Sequence, residues 1–197
     1  MKKIIWFVFS FLLIITVATA QNSYSLDPEN SEARFLLNEV LLGKDKQVVG
    51  VTSQVTGDIS FDLANPQATT VSVITINAAD ITTDDNRRNN QIRGRILQTE
   101  DFPDITFAPS SITGLPESVV VGDSFDVQMT GMLTIAGSSL EKTFDVSVKV
   151  LSEAELSGQG STVITHKEFN LNIPRVPIVA SVEDDVRLEL DFRALAQ

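Results

Sequence analysis

The chain contains no cysteine. Disulfide staples, thiol nucleophiles and thiolate metal sites are excluded with it, and so is a lipid anchor on a cysteine following a leader. It has one histidine, His166, so histidine-based catalysis or metal binding has a single candidate. His166 sits in the polar run Thr165-His-Lys-Glu-Phe-Asn and reads as a surface side chain, because catalysis needs an orienting partner and a nucleophile beside it. No serine stands in a Gly-x-Ser-x-Gly elbow. Asp80, Asp84 and Asp85 lack the regular oxygen-ligand spacing of a calcium loop. Basic charge is scarce as well. The chain has 15 Lys+Arg against 26 Asp+Glu; residues 1–20 hold two of the lysines and no acid, which leaves 13 against 26, a net −13. A surface of that sign repels nucleic acid and anionic headgroups, which argues against DNA binding and against broad docking on membranes.

What is present starts with a leader. Lys2 and Lys3 precede an apolar run over residues 4–17, and Ala18-Thr19-Ala20 supplies a small-residue cleavage site. This is an export signal, expected to be removed before Gln21 and to leave no stable membrane insertion. The expected location is periplasmic or secreted. Residues 21–197 then form one domain, long enough for a sizeable core and free of linkers or repeats.

Short alternating segments separated by Gly, Pro, Asn and Asp fill that domain, the all-β pattern. Residues 186–194 are the most regular: Val186, Leu188, Leu190 and Phe192 on one face, Arg187, Glu189, Asp191 and Arg193 on the other. A period of two with the charges together buries one face and wets the other. Residues 125–135, 144–150, 55–63, 31–37, 71–76, 161–165 and 105–112 supply seven further strands. A turn beginning at Gly137 joins 125–135 to 144–150 as a hairpin. Eight antiparallel strands with one apolar face curl into a barrel or stack as a sandwich. The charged face is too polar for hydrocarbon, so a barrel is not a membrane one and its apolar face points inward. Such an interior is packed solid or holds one small ligand.

The segment Ile81-Thr-Thr-Asp-Asp-Asn-Arg-Arg-Asn-Asn-Gln-Ile-Arg-Gly-Arg-Ile-Leu97, continuing to Phe107, differs from the rest. It predicts a short helix capped by Thr83, with Asp84 and Asp85 at the positive end of its dipole and Ile92 and Ile96 as an apolar stripe. Phe102-Pro103 ends the helical run. Arg87, Arg88, Arg93 and Arg95 form a basic cluster expected to pair with Asp84, Asp85, Glu100 and Asp101 on a solvated face.

These residues also resemble the signature of the YceI-like family, polyisoprenoid-binding proteins with a lipocalin-like barrel. Arg88 falls on the family's motif Arg, while Asn89 stands where Asp is usual and Gln91 where His is usual. Ile92 takes the place of a Leu and Ile96-Leu97 that of an aromatic pair, and the run from Glu100 to Phe107 matches closely. Gly131-Met-Leu-Thr-Ile-Ala-Gly137 with Lys142, the pattern Ser31-x-Ala33-x-Phe35, Gly50 and Gly57-Asp58-Ile59 extend the likeness over the mature chain. The resemblance implies an eight-stranded antiparallel lipocalin-like β-barrel with the helix inserted between strands. It also implies a cavity for an extended isoprenoid chain, bound non-covalently and without a cofactor.

On that reading the inward stripes meet the ligand: Ala33, Phe35, Leu37, Ile59, Phe61, Phe107, Phe125, Met129, Leu133, Phe144, Leu190 and Phe192. Arg88 is the candidate for a ligand headgroup. The apolar stripes carry no titratable group, so a hydrolase or isomerase on this barrel ranks last. The expected protein is a non-enzymatic carrier or store of an isoprenoid-like amphiphile, either a polyisoprenoid or an isoprenoid quinone; a homodimer is compatible with it. The competing reading is a ligand-free β-sandwich module for interaction or stress response.

Overall fold

Alternation along the chain becomes a single antiparallel ladder. The computed structural model describes residues 22–197; the expected leader lies outside the described residues. β1 (Asn22–Leu26) and β2 (Glu32–Leu41) are one pass of the chain, broken by a 3-10 turn that Asp27 caps. β3 (Lys44–Thr52), β4 (Val55–Thr56) and β5 (Asp58–Phe61) make the second pass, β6 (Thr70–Val71) and β7 (Ile74–Asn77) the third. The helix α1 (Asn86–Gln91) follows. Single passes then run through β8 (Asp104–Thr113), β9 (Ser124–Ile135), β10 (Ser138–Ser152) and β11 (Glu155–Thr165). A short β12 (Val179–Val182) lies on β2 before β13 (Asp185–Ala196) completes the fold.

The ladder returns on itself. β13 pairs with β11 on one side and with both β1 and β2 on the other. The first pass pairs with the second through β2–β3 and β1–β5, and the second with the third through β4–β7 and β5–β6. β7 through β11 then pair in order. The thirteen strand segments among the described residues therefore form one curled sheet of eight passes, the expected barrel with its strands interrupted.

This path sorts the connections to two ends. The turn at Leu42–Gly43, the segment 78–103 with α1, the turn at Ala136–Gly137 and the segment 166–184 share one end. Segments 62–69, 114–123 and 153–154 share the other. That second end is floored by aromatic rings. Tyr24 and Phe61 meet edge-on at 6.5 Å, Phe61 and Phe125 stack at 6.1 Å, and the buried Tyr24 hydroxyl donates to the Glu153 carbonyl at 2.7 Å. A buried phenol needs that partner.

Several expectations change in detail. β1 and β3 were not expected as strands. β1 is five residues long, and β3 opens with Lys-Asp-Lys-Gln, so neither alternates until its partner is considered. The hairpin turn before β10 is Ala136–Gly137, both at positive φ (46° and 76°), and the strand resumes at Ser138. α1 is capped by Asp85 rather than Thr83: its Oδ1 accepts from the amides of Arg87 (2.7 Å) and Arg88 (3.1 Å). Thr83 instead turns to Asn89. The Thr83 amide and hydroxyl both donate to Asn89 Oδ1 at 2.7 Å, an acceptor role that either Asn or Asp can fill. Beyond Gln91 the helix widens into a π turn over Ile92–Ile96.

The outer face of β13 is also less wet than its alternation suggests. Glu189 is 18% exposed and accepts from Arg34 across the β2–β13 pairing, where Arg34 also meets Glu32 and Asp191. Burial disfavours the Arg34 guanidinium charge, but hydrogen bonds to Glu32, Asp191 and Glu189 outweigh it and raise its pKa.

Candidate functional site

The closed ladder surrounds a cavity of about 720 Å³, within the ~300–1,000 Å³ span usual for small-molecule sites. Strand pleating puts every second residue on its wall. All thirteen residues singled out above line it: Ala33, Phe35, Leu37, Ile59, Phe61, Arg88, Phe107, Phe125, Met129, Leu133, Phe144, Leu190 and Phe192. Phe107 and Phe144 meet edge-on at 4.8 Å on opposite sides of β9. The interior is hollow, where the same pattern of residues could have filled it.

Three further elements contribute to the wall. From the helical segment, Ile92 and Ile96, the expected stripe, come inward together with Leu97. From the segment 166–184 come Leu171, Ile173, Pro174, Val176 and Ile178. The sequence reading missed this second group, because its apolar residues follow no period and are broken by Pro174 and Pro177. β3 adds Val48, Gly50 and Thr52.

Charge enters the lining near the loop end. Arg88 reaches Glu39 at 2.8 Å and also pairs with Asp84, which Lys46 holds at 2.6 Å from the other side. Glu39 is only 7% exposed, and that guanidinium is its ion-pair partner in the wall. The Asp84 carboxyl is held below its ordinary range by the Lys46 hydrogen bond and by Arg88. Asp85 is held low by the amides of Arg88 and Arg87 that it caps. Glu100 and Asp101 pair with none of the arginines among the described residues, contrary to expectation. Arg93 instead hydrogen-bonds the Ala79 carbonyl and Asn90.

His166 is not a surface residue. It is 14% exposed and touches the cavity wall, with Nδ1 3.0 Å from the Leu171 carbonyl and Nε2 3.4 Å from Asp184. Both ring nitrogens are thus engaged in holding the 166–184 segment, as is Glu168, which accepts from Lys142 at 2.7 Å and from the Thr165 amide at 2.8 Å. Among the described residues no group of three His, Cys, Asp or Glu is placed to hold a metal ion, and no helix is long and apolar enough to cross a membrane.

Known proteins resemble this chain in sequence and in fold. The UPF0312 protein of Shewanella oneidensis is 28% identical over 185 residues, covering 90% of this chain and 91% of the relative. The UPF0312 protein of Staphylococcus aureus is 31% identical over 143 residues, 72% of this chain and 74% of its own. Among solved structures, Burkholderia cenocepacia BcnA superposes with a TM-score of 0.65 at 23% identity, over 85% of this chain and 98% of that one. A polyisoprenoid-binding domain from Saccharophagus degradans gives a TM-score of 0.68 at 15% identity, over 90% of this chain and all of that one (100%). The YceI-like domain model matches residues 24–194. That match spans every pass of the barrel and both ends of the cavity, so the chain belongs to the YceI-like family.

Proposed function

We propose that the protein is exported with residues 1–20 removed and holds one isoprenoid-type lipid, a polyisoprenoid or an isoprenoid quinone, in its cavity. It acts as a carrier or store and performs no chemistry on the ligand. The observation that carries this reading is the hollow interior: a cavity of about 720 Å³ walled by aliphatic and aromatic side chains. A long hydrocarbon gains about 0.8 kcal/mol per buried methylene and asks for no polar partner along its length. An isoprenoid tail meets those terms, and the likeness to the Saccharophagus degradans polyisoprenoid-binding domain supports the same ligand class. The absence of catalysis is supported by the charged wall residues. Among them the acids and the imidazole, Glu39, Asp84, Asp85 and His166, are committed to partners in the fold, as are Lys46 and Arg88. Arg87, Arg95 and Arg175 have no ion-pair partner among the described residues, but a guanidinium has no proton-accepting role to play.

Native mass spectrometry of protein purified from its own cells, without detergent, tests this reading. The expected mass is that of a chain starting at Gln21 plus one bound lipid, recovered by organic extraction and identified as isoprenoid. A bare polypeptide that also fails to take up a fluorescent isoprenoid analogue would leave the ligand-free module standing.

A further inference from the structure

The hairpin between β2 and β3 turns on Leu42 and Gly43, with φ of 51° and 77°. Two-residue turns of this kind favour Asn or Asp before Gly, since the first position must also enter the left-handed region. Leucine there is unfavourable on two counts: its backbone is strained, and its side chain is 73% exposed. The equivalent turn before β10 uses the smaller Ala136. Strain of this sort at a surface tip points from the outlier to a use.

The neighbourhood supplies one. The Leu42 amide donates to the Ile178 carbonyl at 2.9 Å, which ties the tip to the segment 173–178. Val176 and Ile178 in that segment are 40% and 53% exposed. Arg175 lies beside them, and Arg87 and Arg95 stand on the helical segment at the same end. None of these three arginines has a carboxylate within ion-pair distance among the described residues. Every exposed residue of the cavity wall belongs to this end, so this is where the cavity meets solvent. The floor end also exposes Val120 and Val121, but between Glu117 and Asp123.

We propose that the loop end is a docking surface for a lipid bilayer bearing anionic headgroups. Leu42, Val176 and Ile178 enter the boundary between headgroups and acyl chains, and Arg87, Arg95 and Arg175 meet the phosphates. Asp84, Asp85 and Asp184 share this end but are engaged by Lys46 and Arg88, by the first amides of α1 and by Lys167. The acidic surface elsewhere is repelled by the same membrane, so contact is reversible, salt-sensitive and confined to one orientation. The cavity mouth then faces the bilayer. The biological use of this contact rests on the carrier reading, but the contact itself is measured separately.

The test is flotation of the exported protein with vesicles of phosphatidylcholine alone and of phosphatidylcholine with phosphatidylglycerol, at low and high salt. Wild type is expected to float with the anionic vesicles at low salt and to stay behind otherwise. Arg87→Gln and Arg175→Gln should each weaken binding about fivefold, the weight of one cation near an anionic surface. Leu42→Asn should melt no lower than wild type, because asparagine suits the turn, and yet lose most of its flotation. Val120→Ser at the floor end should float like wild type. Equal flotation by Leu42→Asn, equal binding to neutral vesicles, or no flotation by wild type would each overturn the proposal. Uptake of a soluble isoprenoid analogue by the same proteins separates the two readings. Uptake without flotation leaves a carrier that does not dock this way; flotation without uptake leaves docking and removes the carrier.

Discussion

Replacing Arg88 by methionine removes the cation that reaches Glu39 at 2.8 Å while keeping an apolar stem of similar length. Glu39 is 7% exposed, and no other cation lies within ion-pair distance of it among the described residues. The substitution therefore leaves a carboxylate in the barrel wall without its counter-charge, a loss of about 3–5 kcal/mol for a buried pair. The second contact of Arg88 adds little, because Asp84 is 58% exposed and water screens it. Arg88 itself is 19% exposed, which places the cost near the low end, about 3 kcal/mol. For a domain of this size that lowers the melting temperature by about 6–12 °C. Glu39→Met combined with Arg88→Met removes the orphaned charge, and most of the loss should return. Thermal melts of the four delipidated proteins form the cycle. An unchanged melting temperature for Arg88→Met, or a double variant no more stable than the single, would refute the argument. Analogue uptake by the same four then decides the role of Arg88. If it serves only as an anchor the double variant binds like wild type, and if it meets the headgroup the double variant binds worse despite its recovered fold.

Three further outcomes are expected. Glu189→Lys should lower the melting temperature by about 4–8 °C, because it breaks hydrogen bonds to a charged partner worth about 2 kcal/mol and places a new cation beside Arg34 and Arg187; a silent result would mean the outer network of β13 contributes nothing. Ala33→Phe should keep the apo melting temperature within a few degrees, since its ring enters the cavity, yet abolish analogue uptake; a stability loss of about 1–3 kcal/mol would instead indicate a packed interior there. The Glu168 carboxyl is disfavoured by burial, but the Lys142 hydrogen bond and the Thr165 amide outweigh that and hold it below its ordinary range. Its folded value is the lower one, so its contribution is complete above about pH 4.3 and is lost as pH falls through the folded value. The gap in melting temperature between wild type and Glu168→Gln should therefore close in acid, and a gap independent of pH would refute the linkage.

The barrel was legible because a period of two survives wherever one face is apolar and the other charged, as in Val186, Leu188, Leu190 and Phe192. Segments that become strands only through their partners were not. β3 opens with four polar residues and is held by nine paired positions on β2. The helical segment was legible through Ile92 and Ile96, but its cap was misplaced by two residues, because Thr83 and Asp85 are both good capping residues and only the fold sends Thr83 to Asn89. The wall segment around Ile173, Val176 and Ile178 carries no period at all, so its place at the cavity could come only from its attachments: the Leu42 amide to Ile178 and the His166 and Glu168 contacts at its base.

Alternation also says which residues face inward without saying whether the inside is full, since volume is not written in a pattern. Here part of the answer lies in cross-strand partners. Phe35 sits opposite Gly50, and a Cβ built on that glycine would fall 2.0 Å from the Phe35 ring. Phe192 sits opposite Gly158 in the same way, its ring 2.6 Å from where a Cβ would be. Each ring covers a missing side chain on the neighbouring strand and so lies along the wall instead of across the lumen. Large aromatic residues can thus make the wall greasy without filling the space it encloses. A methyl group at position 50 would push the Phe35 ring off the wall, and the adjacent space into which it can move is the cavity itself. In this barrel the pairs Phe35–Gly50 and Phe192–Gly158 thus hold two large rings against the wall, a feature readable once the register of the strands is known.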